Sequence, residues 1–235
     1  MSYRKVLLAT VIASAAVSAS AATVFSTNFD SGVPAAFSGG NLESVSALNG
    51  VGNAGNTFTG NLYRAANTIT LTLSGLPAHT GLNLGFLFAA IDSWDGPSGF
   101  NCCGPDVMTV TVNGNAVFSK SFNLFGHATG DYNPPVNGQL LYGTNVVGTS
   151  WGDQAYDMSL EAAFQNIADA ASTLTITWTS TALQGYDDES FALDNVKVDL
   201  LGTTVGSVPE PGSLALLGLS IGLCGLLRRS RRQSS

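Results

Sequence analysis

Charge is scarce in this 235-residue chain, and positive charge is scarcer still. Asp, Glu, Lys and Arg together make up 11% of it, against about 25% in an ordinary globular protein. Six of the nine Lys and Arg crowd the two ends, as Arg4, Lys5, Arg228, Arg229, Arg231 and Arg232. Residues 23–207 keep only Arg64, Lys120 and Lys197 against fifteen of the sixteen acids, a net charge of −12. A body of that sign repels nucleic acid and anionic lipid, so no nucleic-acid partner is expected. It suits divalent cations and neutral or cationic glycans. Plentiful Gly, Asn, Ser and Thr supply the hydroxyl and amide groups that keep such a surface wet.

Histidine is nearly absent, which disposes of one enzyme class. Gly148-Thr149-Ser150-Trp151-Gly152 matches the nucleophile pattern Gly-x-Ser-x-Gly, in which the catalytic His follows the Ser and a helix begins at once. Both histidines here, His79 and His127, precede Ser150, and Asp153-Gln154-Ala155-Tyr156 reads as strand. A glycosidase needs two carboxylates about 5–9.5 Å apart, and no spacing singles out a pair. No catalytic residue is assigned, and the chain reads as a non-enzyme. Cysteine is rare too. Cys102 and Cys103 stand side by side in Asn101-Cys102-Cys103-Gly104-Pro105. Adjacent Cα atoms lie about 3.8 Å apart, below the usual disulfide range, so a bond between them requires a distorted turn. Gly104 and Pro105 suit such a turn; intermolecular pairing and a free thiol pair are the alternatives.

What the body has is alternation. Thr68 to Ser74, Val107 to Val112 and Ser172 to Thr179 place β-branched and apolar residues at every second position, the pattern of half-buried strands with Thr on the wet face. Leu82 to Ile91 is more continuously apolar and reads as a central strand. Asn113-Gly114 signals a two-residue hairpin, since a type I′ turn needs positive φ at both positions. Thr23 to Phe29 gives a first strand and Phe191 to Leu200 a last one. Only Leu160 to Ala171 has helical character, enough for a turn or short helix. Residues 38–67 and 123–150 read as long polar loops. Seven or eight such strands predict an all-β fold, an antiparallel β-sandwich of jelly-roll type with its first and last strands paired.

The ends carry addresses. Arg4 and Lys5 precede an apolar stretch from Val6 to Val17 and small residues through Ala22, so residues 1–22 read as a secretory signal peptide for signal peptidase. At the other end stand Val208-Pro209-Glu210-Pro211, the 16-residue apolar run Gly212 to Leu227, and the membrane stop Arg228, Arg229, Arg231 and Arg232. As a single hydrophobic helix the run spans roughly 24 Å against a hydrocarbon core of about 30 Å. That length suits transient inner-membrane insertion, and the arginines keep to the cytoplasmic side. Together these residues resemble the PEP-CTERM sorting signal, which gives residues 208–235 as the sorting segment and 23–207 as the sandwich domain. Proteins of that family are exported by Gram-negative bacteria that make exopolysaccharide. The resemblance implies handling by exosortase at Val208, Pro209, Glu210 and Pro211, and delivery to the cell surface or the extracellular matrix of a biofilm.

Asn28-Phe29-Asp30 and the segment Asp188 to Val198 resemble the terminal strands of galactose-binding-like or lectin-like modules. Asp92, Asp95, Asp106, Asp187, Asp188, Glu189 and Asp194 form a pool of acids from which distant loops can assemble a structural calcium site. The lectin-like resemblance points to Asp30 and Asp194 as the pair, with Asp188 and Glu189 as further ligands. The alternative is solvated acids in turns. Local spacing identifies no site, because the run from Asp92 to Gly96 fails the EF-hand pattern. Trp94 and Phe100, beside the cysteine pair, are the candidate glycan contacts, since aromatic faces stack on sugar C–H groups. The alternative there is a loop cap with no ligand. The expected function is exopolysaccharide binding by an exported surface protein, against a purely structural matrix or surface-layer component and, third, a secreted glycoside hydrolase.

Overall fold

The structure, a computed structural model, describes residues 20–97, 105–122, 132–144, 152–181 and 185–203. The expected signal peptide through residue 19, Phe100, Cys102, Cys103, Ser150 and the whole sorting segment with its apolar helix lie outside the described residues.

In chain order the strands are β1 (Ser20–Thr27), β2 (Phe37–Ser38), β3 (Asn41–Ser44), β4 (Gly52–Asn53), β5 (Asn56–Thr57), β6 (Asn61–Ala65), β7 (Thr68–Ser74) and β8 (Gly81–Asp92). They continue as β9 (Val107–Val112), β10 (Asn115–Ser121), β11 (Gln139–Thr144), β12 (Asp153–Asp157), β13 (Ile167–Ala168), β14 (Thr173–Ser180) and β15 (Glu189–Thr203). The larger sheet has the order β11-β12-β8-β15-β6-β3, with β1 added to β15 and β13 to β8. The smaller runs β10-β9-β14-β7-β2, and β4 pairs with β5 alone. Pairings along these ladders are antiparallel, so the all-β sandwich expected from the alternation is what forms. First and last strands pair, and Asn113 and Gly114 turn the β9–β10 hairpin at φ 48° and 81°.

Between the sheets lies an aromatic-rich core. Trp178 of β14 packs edge-on against Phe86 of β8 and stacks with Phe37, while Phe88 meets Trp94, Phe122, Tyr156 and Phe191. A second cluster forms on the opposite face of the larger sheet, where Leu62, Leu87, Ala89, Ile91, Ala155 and Ala192 are covered by Val45, Leu48 and Phe58. Burial on both faces is the reason β8 is apolar almost throughout.

That second cluster corrects one expectation. Residues 38–67 are not a long loop: β3 and β6 extend the larger sheet, and between them lie the β4–β5 pair and a 3-10 turn at Ser46–Leu48. Their Asn and Gly content hid them, because short strands between tight turns show too few alternations to register as periodicity. The second expected loop, 123–150, contains β11 where it is described. The helical expectation over Leu160 to Ala171 resolves into 3-10 turns at Met158–Leu160 and Ala162–Phe164, followed by β13.

Candidate functional site

Strand β15 is the axis of the larger sheet, and its pairing with β8 slips between Asp194 and Lys197. At the slip Asn195 adopts φ 48°, a left-handed conformation that Asn tolerates better than most residues. Beside it opens a cleft of about 660 Å3, lined by Ser26 and Thr27 of β1 and Asn28 just after it, by Asn83 of β8, and from elsewhere by Asn56, Ser159 and Gln165. Its two charged residues, Lys197 and Asp199, neutralise each other at 2.8 Å. The polar part of the lining is therefore hydroxyl and amide with no net charge, beside the apolar Leu84, Phe86 and Val196.

Asn28 is engaged at both ends by Asp30, and the other four lining amides are held at one end and open at the other. Asn83 Oδ1 accepts the Asn166 N–H at 2.8 Å, leaving its NH2 group. Gln165 Nε2 donates to the Ser159 carbonyl at 3.1 Å, leaving Oε1. Asn195 Nδ2 donates to Asn56 Oδ1 and to the Thr57 carbonyl, both at 3.0 Å, leaving Asn195 Oδ1 and Asn56 Nδ2. Two donors and two acceptors thus line one cleft with their side chains already fixed, so a ligand immobilises little on binding. None of the four was singled out from the sequence. Neutral amides in short loops carry no local signature, and only the fold brings 56, 83, 165 and 195 together.

The expected calcium quartet does not converge. Asp30 and Asp194 share one segment: Asp30 Oδ1 accepts the Asn61 N–H at 2.9 Å, and Asp194 Oδ2 accepts the Thr59 N–H at 3.2 Å. Burial pushes the Asp194 carboxyl up to about 7; the Asn195 and Thr59 N–H groups oppose the rise, and the charge of Asp30 adds to it. Glu189 instead opens β15, paired with Asp92, with Asp188 just before it, several residues along the chain from Asp194. There Glu189 joins Asp95 and Asp106, with one carboxylate oxygen from each lying within 4.8 Å of the others. Among the described residues this is the one such trio found.

Local turns build the trio. Asp92 ends β8 at φ 65° and its carbonyl accepts the Trp94 N–H at 2.8 Å, which folds Trp94 inward and carries Asp95 past it. Asp106 precedes β9; its Oδ2 accepts the Asp95 N–H while its own N–H donates to the Asp95 carbonyl. Burial pushes the Asp106 carboxyl up to about 7, the Asp95 N–H opposes this, and the charges of Glu189 and Asp95 add to it. Asp95 is raised as well, by burial and then by Asp188.

Trp94 is not a sugar platform. It is fully buried, its ring edge-on to Phe88 and Phe122, and its Nε1 donates to the Ser190 carbonyl at 2.8 Å. The flanking Ser93, Asp95 and Gly96 made it look like a loop residue, whereas the tight turn at Asp92 returns it to the core.

Comparison with known proteins adds the class. Residues 207–232 match the PEP-CTERM protein-sorting motif. The motif marks proteins exported across the inner membrane and anchored or processed by exosortase for the cell surface. This is a sorted surface protein with an antiparallel β-sandwich body. No curated protein matches the sequence. Among solved structures the sandwich is similar to a cleaved adhesin domain of Lys-gingipain from Porphyromonas gingivalis, at TM-score 0.39 and 14% identity over 74% of this chain and 96% of that one. It is also similar to the CBM22-1 xylan-binding domain of Paenibacillus barcinonensis Xyn10C, at TM-score 0.33 and 12% identity over 79% and 98%. A third likeness is to SGBP-B from a xyloglucan utilization locus of Bacteroides uniformis, at TM-score 0.29 and 16% identity over 73% and 48%.

Proposed function

We infer that the sandwich is a non-catalytic module that binds neutral polysaccharide of the extracellular matrix in the cleft beside β15. The observation that carries the reading is the set of four anchored amides, Asn56, Asn83, Gln165 and Asn195, in a cleft of about 660 Å3 with no net charge. Sugar hydroxyls both donate and accept, and fixed amide ends meet both needs. The volume falls within the range of ordinary small-ligand sites, enough for a short stretch of chain, and an open cleft lets the polymer run on at either end. Asp199 is the one carboxylate among the cleft's lining residues and is paired with Lys197, whereas glycosidic hydrolysis needs two. Sorting to the cell surface supports this reading, because a surface module meets extracellular polysaccharide there; in it, signal peptidase and exosortase act on the ends.

Isothermal titration of the purified protein with neutral polysaccharide fractions tests this. Saturable binding is expected, weakened about five- to tenfold by Asn83→Ala or Gln165→Ala, the worth of one hydrogen bond. Absence of saturable binding, or variants that bind as well as the parent, would leave a purely structural matrix component as the better reading.

A further inference from the structure

We propose that Asp95, Asp106 and Glu189 form a binding site for one hard divalent cation of the calcium class, which fastens the two sheets of the sandwich at one end. It stands apart from the glycan cleft and does not depend on it. One carboxylate oxygen from each residue lies within 4.8 Å of the others. Oxygens bound to a single calcium at 2.3–2.6 Å fall within that spacing. All three residues are buried, Asp106 and Glu189 completely.

A second observation points the same way. Asp106 Oδ2 is satisfied by the Asp95 N–H, but Oδ1 of the same carboxylate is buried and has no hydrogen-bond donor. A buried acceptor without a donor is costly, and a cation seated in the trio supplies the missing partner. Two of the three Lys and Arg among the described residues are committed elsewhere. Arg64 donates to Ser190 Oγ and the Tyr186 carbonyl, pairs with Glu43 at 3.3 Å and lies over the Tyr186 ring; Lys197 pairs with Asp199. An all-oxygen donor set selects a hard ion over zinc or copper, and extracellular modules hold calcium at about 0.1–1 mM.

The placement says what the ion does. Asp95 leaves β8 and Glu189 opens β15, both in the larger sheet, while Asp106 leads into β9 of the smaller. One ion therefore ties three chain segments across the sandwich, directly beside the Trp94–Ser190 hydrogen bond.

The test uses the full chain freed of metal with chelator, then given calcium chloride at matched ionic strength. The melting temperature is expected to rise by about 5 °C or more at a hundredfold excess over Kd. Terbium chloride should give luminescence sensitised through Trp94, displaced by calcium. Asp106→Asn keeps the acceptor for the Asp95 N–H and removes one charge. In chelator it should melt at or above the parent temperature, and in calcium below it, a reversal that a merely structural carboxylate does not produce. Asp30→Asn should leave the calcium response intact. The proposal is overturned if calcium leaves the parent's melting temperature unchanged, if Asp106→Asn responds to calcium like the parent, or if Asp30→Asn abolishes the response. Should Asp106→Asn fail to fold, the terbium signal decides on the parent alone, and its absence rejects the site.

Discussion

Replacing Trp94 separates a core role from a sugar-binding role, because the two predict opposite pairs of observables. The ring is fully buried, edge-on to Phe88 and to Phe122 at 5.9 Å each, and its Nε1–H donates to the Ser190 carbonyl at 2.8 Å. Trp94→Ala removes all of that and leaves a cavity, a cost of about 3–5 kcal/mol. Total stability is only about 5–15 kcal/mol, so this variant approaches unfolding and is a poor probe. Trp94→Phe keeps most of the packing and deletes the hydrogen bond, exposing the buried Ser190 carbonyl to loss of its indole donor at about 1–3 kcal/mol. For a domain of this size each kcal/mol shifts the melting temperature by about 2–4 °C, so a drop of about 4–8 °C is expected for a loss near 2 kcal/mol. Urea denaturation followed by circular dichroism should show a lower midpoint with an unchanged slope. Titration with the neutral glycan should give the parent affinity. A variant with the parent's midpoint and no glycan binding would refute the argument and return Trp94 to the ligand surface.

Two further substitutions probe how the chain is fastened. His79 is buried with both ring nitrogens facing acceptors, the Pro77 carbonyl at 2.8 Å and the Asp169 carboxylate at 2.9 Å. Burial lowers its pKa, but the two acceptors outweigh this and raise it above 6.5. A raised folded-state pKa gives stability that is fully present below the unfolded value and is lost as pH rises through the folded one. The advantage of the parent over His79→Gln should therefore be largest near about pH 5.5 and shrink above about pH 7; an advantage constant across that range contradicts the pairing. Gly60 has φ +62°, and a Cβ there collides with the Asp30 carboxylate that accepts the Asn61 N–H. Gly60→Ala should lower the urea midpoint by the equivalent of about 2 kcal/mol, and an unchanged midpoint would mean the Asp30 contact is dispensable.

How much of this was legible in the sequence depends on the length of the signal. β7, β9 and β14 alternate over six or more residues, and each lies within a residue of where Thr68–Ser74, Val107–Val112 and Ser172–Thr179 put it. The tail was legible for the same reason, since a motif, an apolar run and an arginine cluster in fixed order leave few readings. β3 to β6 were not, because strands of two to five residues joined by Gly-containing turns carry no countable period. The sites fared according to their chemistry. Asp95, Asp106 and Glu189 stood in the pool of acids, yet nothing in their spacing of eleven and eighty-three residues ranks them above Asp30 and Asp194. Their convergence is a property of the β8–β15 ladder and of the approach of β9, which no local pattern encodes.

The acids also revise what the composition implied. Net charge invites the picture of a strongly negative surface, but seven of the fourteen carboxylates among the described residues, those of Asp92, Asp95, Asp106, Asp153, Asp157, Glu189 and Asp194, are buried. Several act as acceptors for backbone N–H groups where strands end or turn. Asp153 takes the Asp92 N–H at 2.9 Å, Asp157 the Ser159 N–H at 3.1 Å, Asp194 the Thr59 N–H, and Asp106 the Asp95 N–H. Such bonds to a charged acceptor are stronger than those to a neutral one, and they satisfy donors that a chain rich in short strands leaves over. Half of the acids among the described residues therefore sit in the interior, where several hold backbone rather than line the surface. The ligand proposed for the cleft beside β15, where Lys197 and Asp199 cancel, would be selected by where the amides point and not by long-range attraction.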